Sequence, residues 1–305
     1  MAAKFIISLD LGGTNLKTAL LDLKCRIKDK QILSTPIFNS KDKLICAMTD
    51  SVRAIIQRNK LLRKDIIGVG LGLPGPIDIK NGVVHFFPNI PGWKEVKLRG
   101  ILKKKLGLPV YLDNDANLAC LAEYKLGAAR GFKNVIGLTL GTGVGGGIIC
   151  DGRLYRGSSY AAGEIGHIPI NEYGPRCNCG GIACVEAYIG NNIIIKEAKK
   201  IFKKNISLEE LSKLARRGNK KAIGIWLDVG RRLGIALTGV VNVLNPDCIV
   251  IGGGVSNAGR ILFDKIKEVI SRYAMPVQSK AVKIFKARLG SDAGIIGGAL
   301  LVKEG

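Results

Sequence analysis

FIISLDLGGTNLKTALLDL, residues 5–23, decides the fold. Two apolar runs flank Gly12, Gly13 and Thr14, which reads as a β-hairpin bent at a glycine turn. The logic returns in NVIGLTLGTGVGGGIICDGRLYRG, residues 134–157, with Thr142 inside the second turn. Two such hairpins more than a hundred residues apart point to an internal duplication. A third glycine turn ends the strand-like DCIVIGGGVS, residues 247–256.

Helices fill the spaces between these strands. Residues 41–58 carry apolar side chains at Leu44, Ile45, Met48, Val52, Ile55 and Ile56, a helical period. IIGVGLGLPGPID, residues 66–78, reads as a strand ending in a Pro/Gly turn. WKEVKLRGILKKKLG, residues 93–107, reads as an amphipathic helix, and PVYLDNDANLACLAEYKLG, residues 109–127, as a strand running into a helix. Further helices are expected over 191–203, 208–216 and 220–244. Residues 282–303 read as strand, loop and helix. Alternating strands and helices give an α/β class. Two domains are expected, 1–117 and 118–292, with a final helix, 293–305, packing back on the first.

Composition excludes several classes. A chain of 305 residues, 47% hydrophobic, has enough apolar surface for a core. Its 40 glycines lack a triplet period, so it is not collagenous. The net charge of +23 raises the question of nucleic acid. The basic residues, such as Lys103 to Lys105, Arg216 with Arg217 and Arg231 with Arg232, are scattered and not interleaved with aromatics. They read as a solvated surface whose field favours anionic ligands. The chain reads as neither a nucleic-acid binder nor a membrane protein, since no apolar run reaches about 18 residues. No leader is read, because a strand-like run begins almost at once. Cys25, Cys46, Cys120, Cys150 and Cys248 stand singly, as reduced thiols do, so a cytoplasmic location is expected.

Glycine turns after strands expose backbone N–H groups that can close around phosphate oxygens. One such turn is weak evidence, because glycine also simply bends chains. Three of them, with Asp10, Thr14 and Thr142, make phosphate the better reading. No Walker A pattern is present. GTGVGG sits between two strands and opens no helix, so it is not a dinucleotide fingerprint.

EIGHIPINEYGPRCNCGGIACVE, residues 164–186, adds a metal reading. His167, Cys177, Cys179 and Cys184 form a Cys3His set of the kind zinc favours. Four protein ligands close the coordination sphere, which makes the knuckle, residues 167–184, structural. The competing reading is a loop that is cysteine-rich by accident. Asp113, Asn114 and Asp115 crowd into the start of the helix in DNDAN. One of them serves as a cap. Phosphoryl transfer to an alcohol also needs a base.

Taken together, LDLGGTN, LPGPID, PNIPGW, DNDANLACLAE, LTLGTGVGGGI, GEIGH, CNCGGIACVE and IVIGGGVS run in order over nearly the whole chain. This set resembles the ROK family, and within it the bacterial ATP-dependent glucokinases. The resemblance implies an actin-like, hexokinase-type (ribonuclease H-like) ATPase fold, two α/β domains around an interdomain cleft. It implies ATP-dependent phosphorylation of a hexose at its 6-hydroxyl, glucose first. N-acetylmannosamine, N-acetylglucosamine, fructose or allose are the alternative substrates. A sugar-responsive repressor is the alternative of another class. Such repressors carry a preceding helix-turn-helix module, for which Asp10 comes too early here.

The resemblance also assigns roles. Asp115 is the base. Gly75, Asn89, Asn114, Asp115, Glu164, His167 and Glu186 meet the sugar, and Trp93 packs. Asp10 organises Mg²⁺ through water. Gly12, Gly13, Thr14, Asn15 and Lys17 lie near the phosphates, Thr142 and Gly143 form a second clamp, and Gly253 and Gly254 lie near adenosine. His167 meets zinc through one ring nitrogen, with Cys177, Cys179 and Cys184 as the other ligands. The implied assembly is a homodimer or homotetramer. Ala183 departs from the family pattern, which has glycine there.

Overall fold

Polar–apolar alternation is weak in the opening strand, β1 (Phe5–Leu11), because both of its faces are covered. Ile6, Ile7, Ser8, Leu9 and Leu11 are all buried. The structure, a computed structural model, describes residues 4–35, 38–87, 90 and 92–305. The chain divides into two units. Met1–Ala122, Tyr155–Ala162 and Ser291–Gly305 make the first, and Glu123–Leu154 with Gly163–Gly290 the second.

The first unit continues with β2 (Asn15–Asp22), β3 (Ile27–Ser34), α1 (Lys41–Arg58) and β4 (Ile66–Leu73). The short strands β5 (Ile77–Asp78), β6 (Val83–Phe86) and β7 (Lys94–Val96) come next, then α2 (Leu98–Leu106), β8 (Val110–Asn114) and α3 (Asp115–Leu126). Its main sheet has the order β3-β2-β1-β4-β8, with β1, β4 and β8 parallel and β2 antiparallel to its neighbours.

The second unit holds β9 (Val135–Leu140), β10 (Val144–Cys150), β11 (Arg153–Tyr155, whose last residue falls in the first unit), α4 (Glu186–Ile189), α5 (Asn191–Phe202), α6 (Leu208–Arg216) and α7 (Lys220–Leu244). It ends with β12 (Cys248–Gly252), α8 (Arg260–Tyr273), α9 (Pro276–Ala281) and β13 (Lys283–Lys286). Its sheet order, β11-β10-β9-β12-β13, repeats the first. The β9–β10 pair is antiparallel, and β12 is parallel to both β9 and β13. The duplicated hairpins therefore belong to two copies of one sheet plan. Its core packs Trp226, Leu233 and Leu237 of α7 with Leu262 and Ile266 of α8 and with Ile249 and Ile251 of β12.

The last helix, α10 (Ala293–Glu304), belongs to the first unit. A Cβ on Gly70 of β4 would lie 2.0 Å from the Gly298 carbonyl oxygen, and one on Gly297 2.0 Å from that of Leu118. Only glycine permits α10 to lie this close to the sheet and to α3.

That packing explains where the units divide. The sequence places the division after residue 117, but Leu118 packs on α10 and the contacts divide the chain after Ala122. Glu123, the next residue, is buried and accepts the N–H groups of Arg288 and Leu289 at 2.9 and 2.7 Å, both in the second unit. Residues 155–162 also join the first unit, which the sequence does not announce.

Helices 41–58, 208–216 and 220–244 begin where side chains cap them. Ser40, Ser207 and Asn219 accept the N–H groups of Lys43, Glu210 and Ala222. The helix expected over 93–107 is corrected. Its first part is β7, paired with β6 through Val84↔Val96 and Phe86↔Lys94, and only Leu98–Leu106 is helical. Glu95 takes φ +51°, which no helix accommodates. Trp93 is 2% exposed, its ring 4.5 Å from that of Phe87, so it packs as expected. Among the described residues no helix is long and apolar enough to cross a membrane.

Candidate active site

In the first unit the acidic residues gather at the carboxyl ends of parallel strands, where open α/β sheets bind ligands. Asp10 of β1 pairs with Gly72 of β4, and Gly72 pairs with Asp113 of β8. A Cβ on Gly72 would lie 3.5 Å from the Asp115 Cα and 3.7 Å from Asp10 Oδ1. The glycine thus leaves room between the two aspartates.

Asp10 Oδ2 accepts from Lys17 Nζ at 3.2 Å, and the same ammonium donates to the Ser291 carbonyl at 2.6 Å. Burial pushes the Asp10 carboxyl above the usual carboxylate range, and Lys17 only partly offsets it. Lys17 is therefore held beside Asp10. In the turn itself, Gly12 donates to the Asn15 carbonyl at 2.8 Å, and the Thr14 carbonyl accepts from Thr35 at 2.8 Å. Gly13, Thr14 and Asn15 are exposed.

Asn114 is the residue of the DNDAN trio that caps α3. Its Oδ1 accepts from Ala116 N at 2.9 Å and from Asn117 N at 3.2 Å. Its Nδ2 reaches the Gly75 carbonyl at 3.4 Å. Asp115 accepts from Ala116 N at 2.8 Å. Asp113 is buried and paired with Arg156, whose Nε donates to Asp113 Oδ2 at 2.8 Å. The sequence singles out Asp113 as one of the DNDAN trio without a role of its own, and does not single out Arg156. The signal was available, because an aspartate inside a strand covered on both faces needs a buried partner. Asn89 falls outside the described residues.

In the second unit the glycine turns meet. Gly141 donates to the Gly143 carbonyl at 2.9 Å, with Thr142 exposed between them. A Cβ on Gly253 would lie 2.2 Å from the Leu140 carbonyl, so the third turn rests on the end of β9. Gly254 opens a short 3-10 helix, Gly254–Ala258, ahead of α8.

The knuckle lies in the same unit. One ligand atom from each of His167, Cys177, Cys179 and Cys184 falls within 4.8 Å of the others. A tetrahedral zinc with bonds of about 2.3 Å to sulfur sets two sulfurs about 3.8 Å apart. The sulfurs of Cys179 and Cys184 are 3.7 Å apart, and Cys177 Sγ is 3.6 Å from His167 Nδ1. The backbone N–H of Gly181 draws the Cys179 thiol below its ordinary value, whereas burial pushes Cys177 up to about 12 and Cys184 upward, so a bound cation would be needed to hold all three as thiolates. The donor set fits zinc. Ala183 takes φ +55°, the left-handed region its glycine-bearing pattern serves.

Carboxylates flank the knuckle. His167 Nε2 is 3.8 Å from Glu164 Oε2, so the ring turns Nδ1 to the cysteines and Nε2 to Glu164. Glu164 is half exposed. Glu186 Oε2 accepts from Val144 N at 2.8 Å, and Oε1 lies 3.7 Å from Cys177 Sγ. Glu186 therefore ties the knuckle to the 141–144 turn, a contact the sequence did not suggest.

The chain is similar to known proteins over its whole length. The glucokinase of Thermotoga maritima is 34% identical, over 98% of this chain and 97% of its own. The xylose repressor of Caldicellulosiruptor bescii is 31% identical over 96% of this chain but 76% of its own. A ROK family glucokinase from Streptomyces griseus, solved with glucose and AMPPNP, superposes with a TM-score of 0.84. It is 30% identical and covers 99% of this chain and 100% of that one. The doubled sheet plan is that of the actin-like ATPases. A sequence model of the ROK family matches residues 6–305, from the first strand through the last helix, and the chain belongs to that family.

Proposed function

We propose that this protein is an ATP-dependent hexose kinase that phosphorylates glucose at the 6-hydroxyl. The observation that carries the reading is that Asp10, near the end of β1, and Asp115, at the start of α3, both lie close to Gly72 of β4. Kinase chemistry needs two separate acids there, one beside the phosphates and one beside the alcohol. The similarity to the Thermotoga maritima glucokinase, and to the Streptomyces griseus enzyme solved with glucose and AMPPNP, supports the same substrates.

In this reading Asp115 accepts the proton of the 6-hydroxyl as its oxygen attacks the γ-phosphorus. The bond to the β–γ bridging oxygen breaks and ADP leaves. Asn114 holds the helix start that carries Asp115, and with Gly75 and Asn89 it contacts the sugar. Glu164 and Glu186 accept hydroxyl hydrogen bonds, for which carboxylates are well suited. His167 stands beside them. Asp10 would hold Mg²⁺ through water, as a single carboxylate commonly does. Mg²⁺ supplies neutralisation of the β- and γ-phosphate charge when bound. The turns at Gly12 to Asn15 and at Thr142 and Gly143 take the phosphates, with Lys17 alongside. Gly253 and Gly254 lie by adenosine. One structural zinc per chain, a homodimer or homotetramer, and a cytoplasmic location complete the reading.

The test is ADP release from Mg·ATP over glucose, fructose, allose, N-acetylglucosamine and N-acetylmannosamine. Turnover highest on glucose supports the proposal. Preference for an N-acetylated sugar keeps the chemistry and changes the substrate. No turnover, with sequence-selective and salt-steep DNA binding, favours the repressor reading suggested by the Caldicellulosiruptor bescii relative. Metal analysis and sedimentation check the zinc and the assembly.

A further inference from the structure

We infer that Arg156 is a positioning residue for phosphoryl transfer. Through its ion pair with the buried carboxylate of Asp113 it fixes the backbone that carries Asn114 and Asp115. The inference rests on the kinase reading for its kinetic readout.

The Asp113 side chain is 2% exposed and every side of it is engaged. Its Oδ2 accepts from Arg156 Nε at 2.8 Å and lies 2.7 Å from Arg156 Nη2. Its Oδ1 accepts from Asn114 N at 2.8 Å and from Asn117 Nδ2 at 3.0 Å. The last two donors bracket Asp115 in the chain. A carboxylate pinned on one oxygen by a guanidinium cannot turn without releasing the donors on the other. The place of Asp115 therefore follows from where Arg156 holds Asp113. Two guanidinium nitrogens on one carboxylate hold an orientation that a lysine point charge does not.

Arg156 is itself anchored. It begins a closed loop in which Ala162 N donates to the Arg156 carbonyl at 3.0 Å, with Gly157 at φ +73° making the bend. Residues 155–162 belong to the first unit, yet none of them is buried. The loop has no buried residue, and the ion pair ties it to Asp113 of β8. A buried carboxylate paired with a guanidinium is a costly way to gain stability alone, since apolar residues often serve as well. Here that carboxylate lies two residues before the base.

The experiment compares Arg156→Gln, Arg156→Lys, Arg156→Ala, Asp113→Asn and the Asp113→Asn/Arg156→Gln double variant in the full-length protein. Turnover with glucose and Mg·ATP and amide exchange over 113–117 are measured together. For Arg156→Gln, kcat is expected to fall on the order of 100-fold, the cost of misplacing a reacting group by about 1 Å. The KM for ATP is expected to stay within about threefold, and exchange over 113–117 to speed up. Arg156→Lys is expected to fall between Gln and wild type. The double variant should be no worse than the poorer single one, as for coupled neighbours. Guanidinium added to Arg156→Ala should restore part of kcat and do nothing for Asp115→Asn. If Arg156→Gln does not fold, Arg156→Lys carries the same comparison. A kcat within twofold of wild type overturns the inference, whatever the melting temperature. If wild type phosphorylates no sugar, the kinase reading fails, and exchange over 113–117 decides the inference alone: unchanged exchange overturns it.

Discussion

In the first unit β1 brings Asp10 opposite Gly72, and β2 sets Lys17 beside it. In the second, the matching strands bring Thr139 opposite Gly252, with Gly145 where Lys17 would be. Strand order, hairpin and glycine turn are the same, but the charged pair occurs once. A buried carboxylate costs free energy unless it is partnered. In the proposed reading that expense falls where a cation and a reacting hydroxyl are handled. In the second copy the turn is held by Glu186, which accepts from Val144 N beside the Cys3His set. One sheet plan thus carries an Asp–Lys pair in one unit and a glutamate-held turn next to a cysteine-rich knuckle in the other.

The broadest way to break this comparison is at the knuckle. Cys177→Ser is expected to abolish stoichiometric zinc by metal analysis and to lower glucose affinity by tenfold or more on the order of ligand-shell effects. Exchange protection in the second unit should fall, with that of β1, β4 and β8 unchanged. Loss of protection across both units would deny the division of labour.

Next comes writing the second unit's residue into the first. Asp10→Thr is expected to lower kcat by about 10² to 10³, the usual loss for one electrostatic contact in a transition state. Steady-state kinetics over a Mg²⁺ titration checks it. An effect confined to glucose KM would contradict the assignment.

Gly70→Ala tests the packing of α10. Its Cβ would meet backbone at 2.0 Å, so a loss of about 1–3 kcal/mol is expected in denaturant unfolding. Gly13→Ala, where a Cβ meets nothing within 4 Å, should leave stability nearly unchanged. The smallest effect is a gain. Ala183→Gly relieves a left-handed φ of +55° and is expected to stabilise the zinc-loaded protein by about 1 kcal/mol at most. A lower melting temperature would mean the alanine's packing outweighs its strain.

Much of this was legible in the sequence because local signals agreed. Ser40, Ser207 and Asn219 mark helix starts with their own side chains, and the glycine turns mark strand ends. The Cys3His set, close together in sequence, is also close in space. What was not legible depends on long-range contacts. β7 has three residues, and only pairing with β6 makes it a strand. The division after Ala122 depends on Leu118 meeting Gly297, residues far apart in sequence. Arg156 lies in no motif. Its partner Asp113 sits 43 positions earlier, hidden in a trio whose neighbours drew attention as cap and base.

The central claim is that Asp115 is the acid that does the proton chemistry. The most direct measurement is kcat of Asp115→Asn on glucose and Mg·ATP, with glucose binding followed by calorimetry in the same preparation. The account predicts a fall in kcat of about 10² to 10⁴, the range for a positioned general base, with glucose affinity within a few-fold of wild type. Turnover within about tenfold of wild type would contradict it.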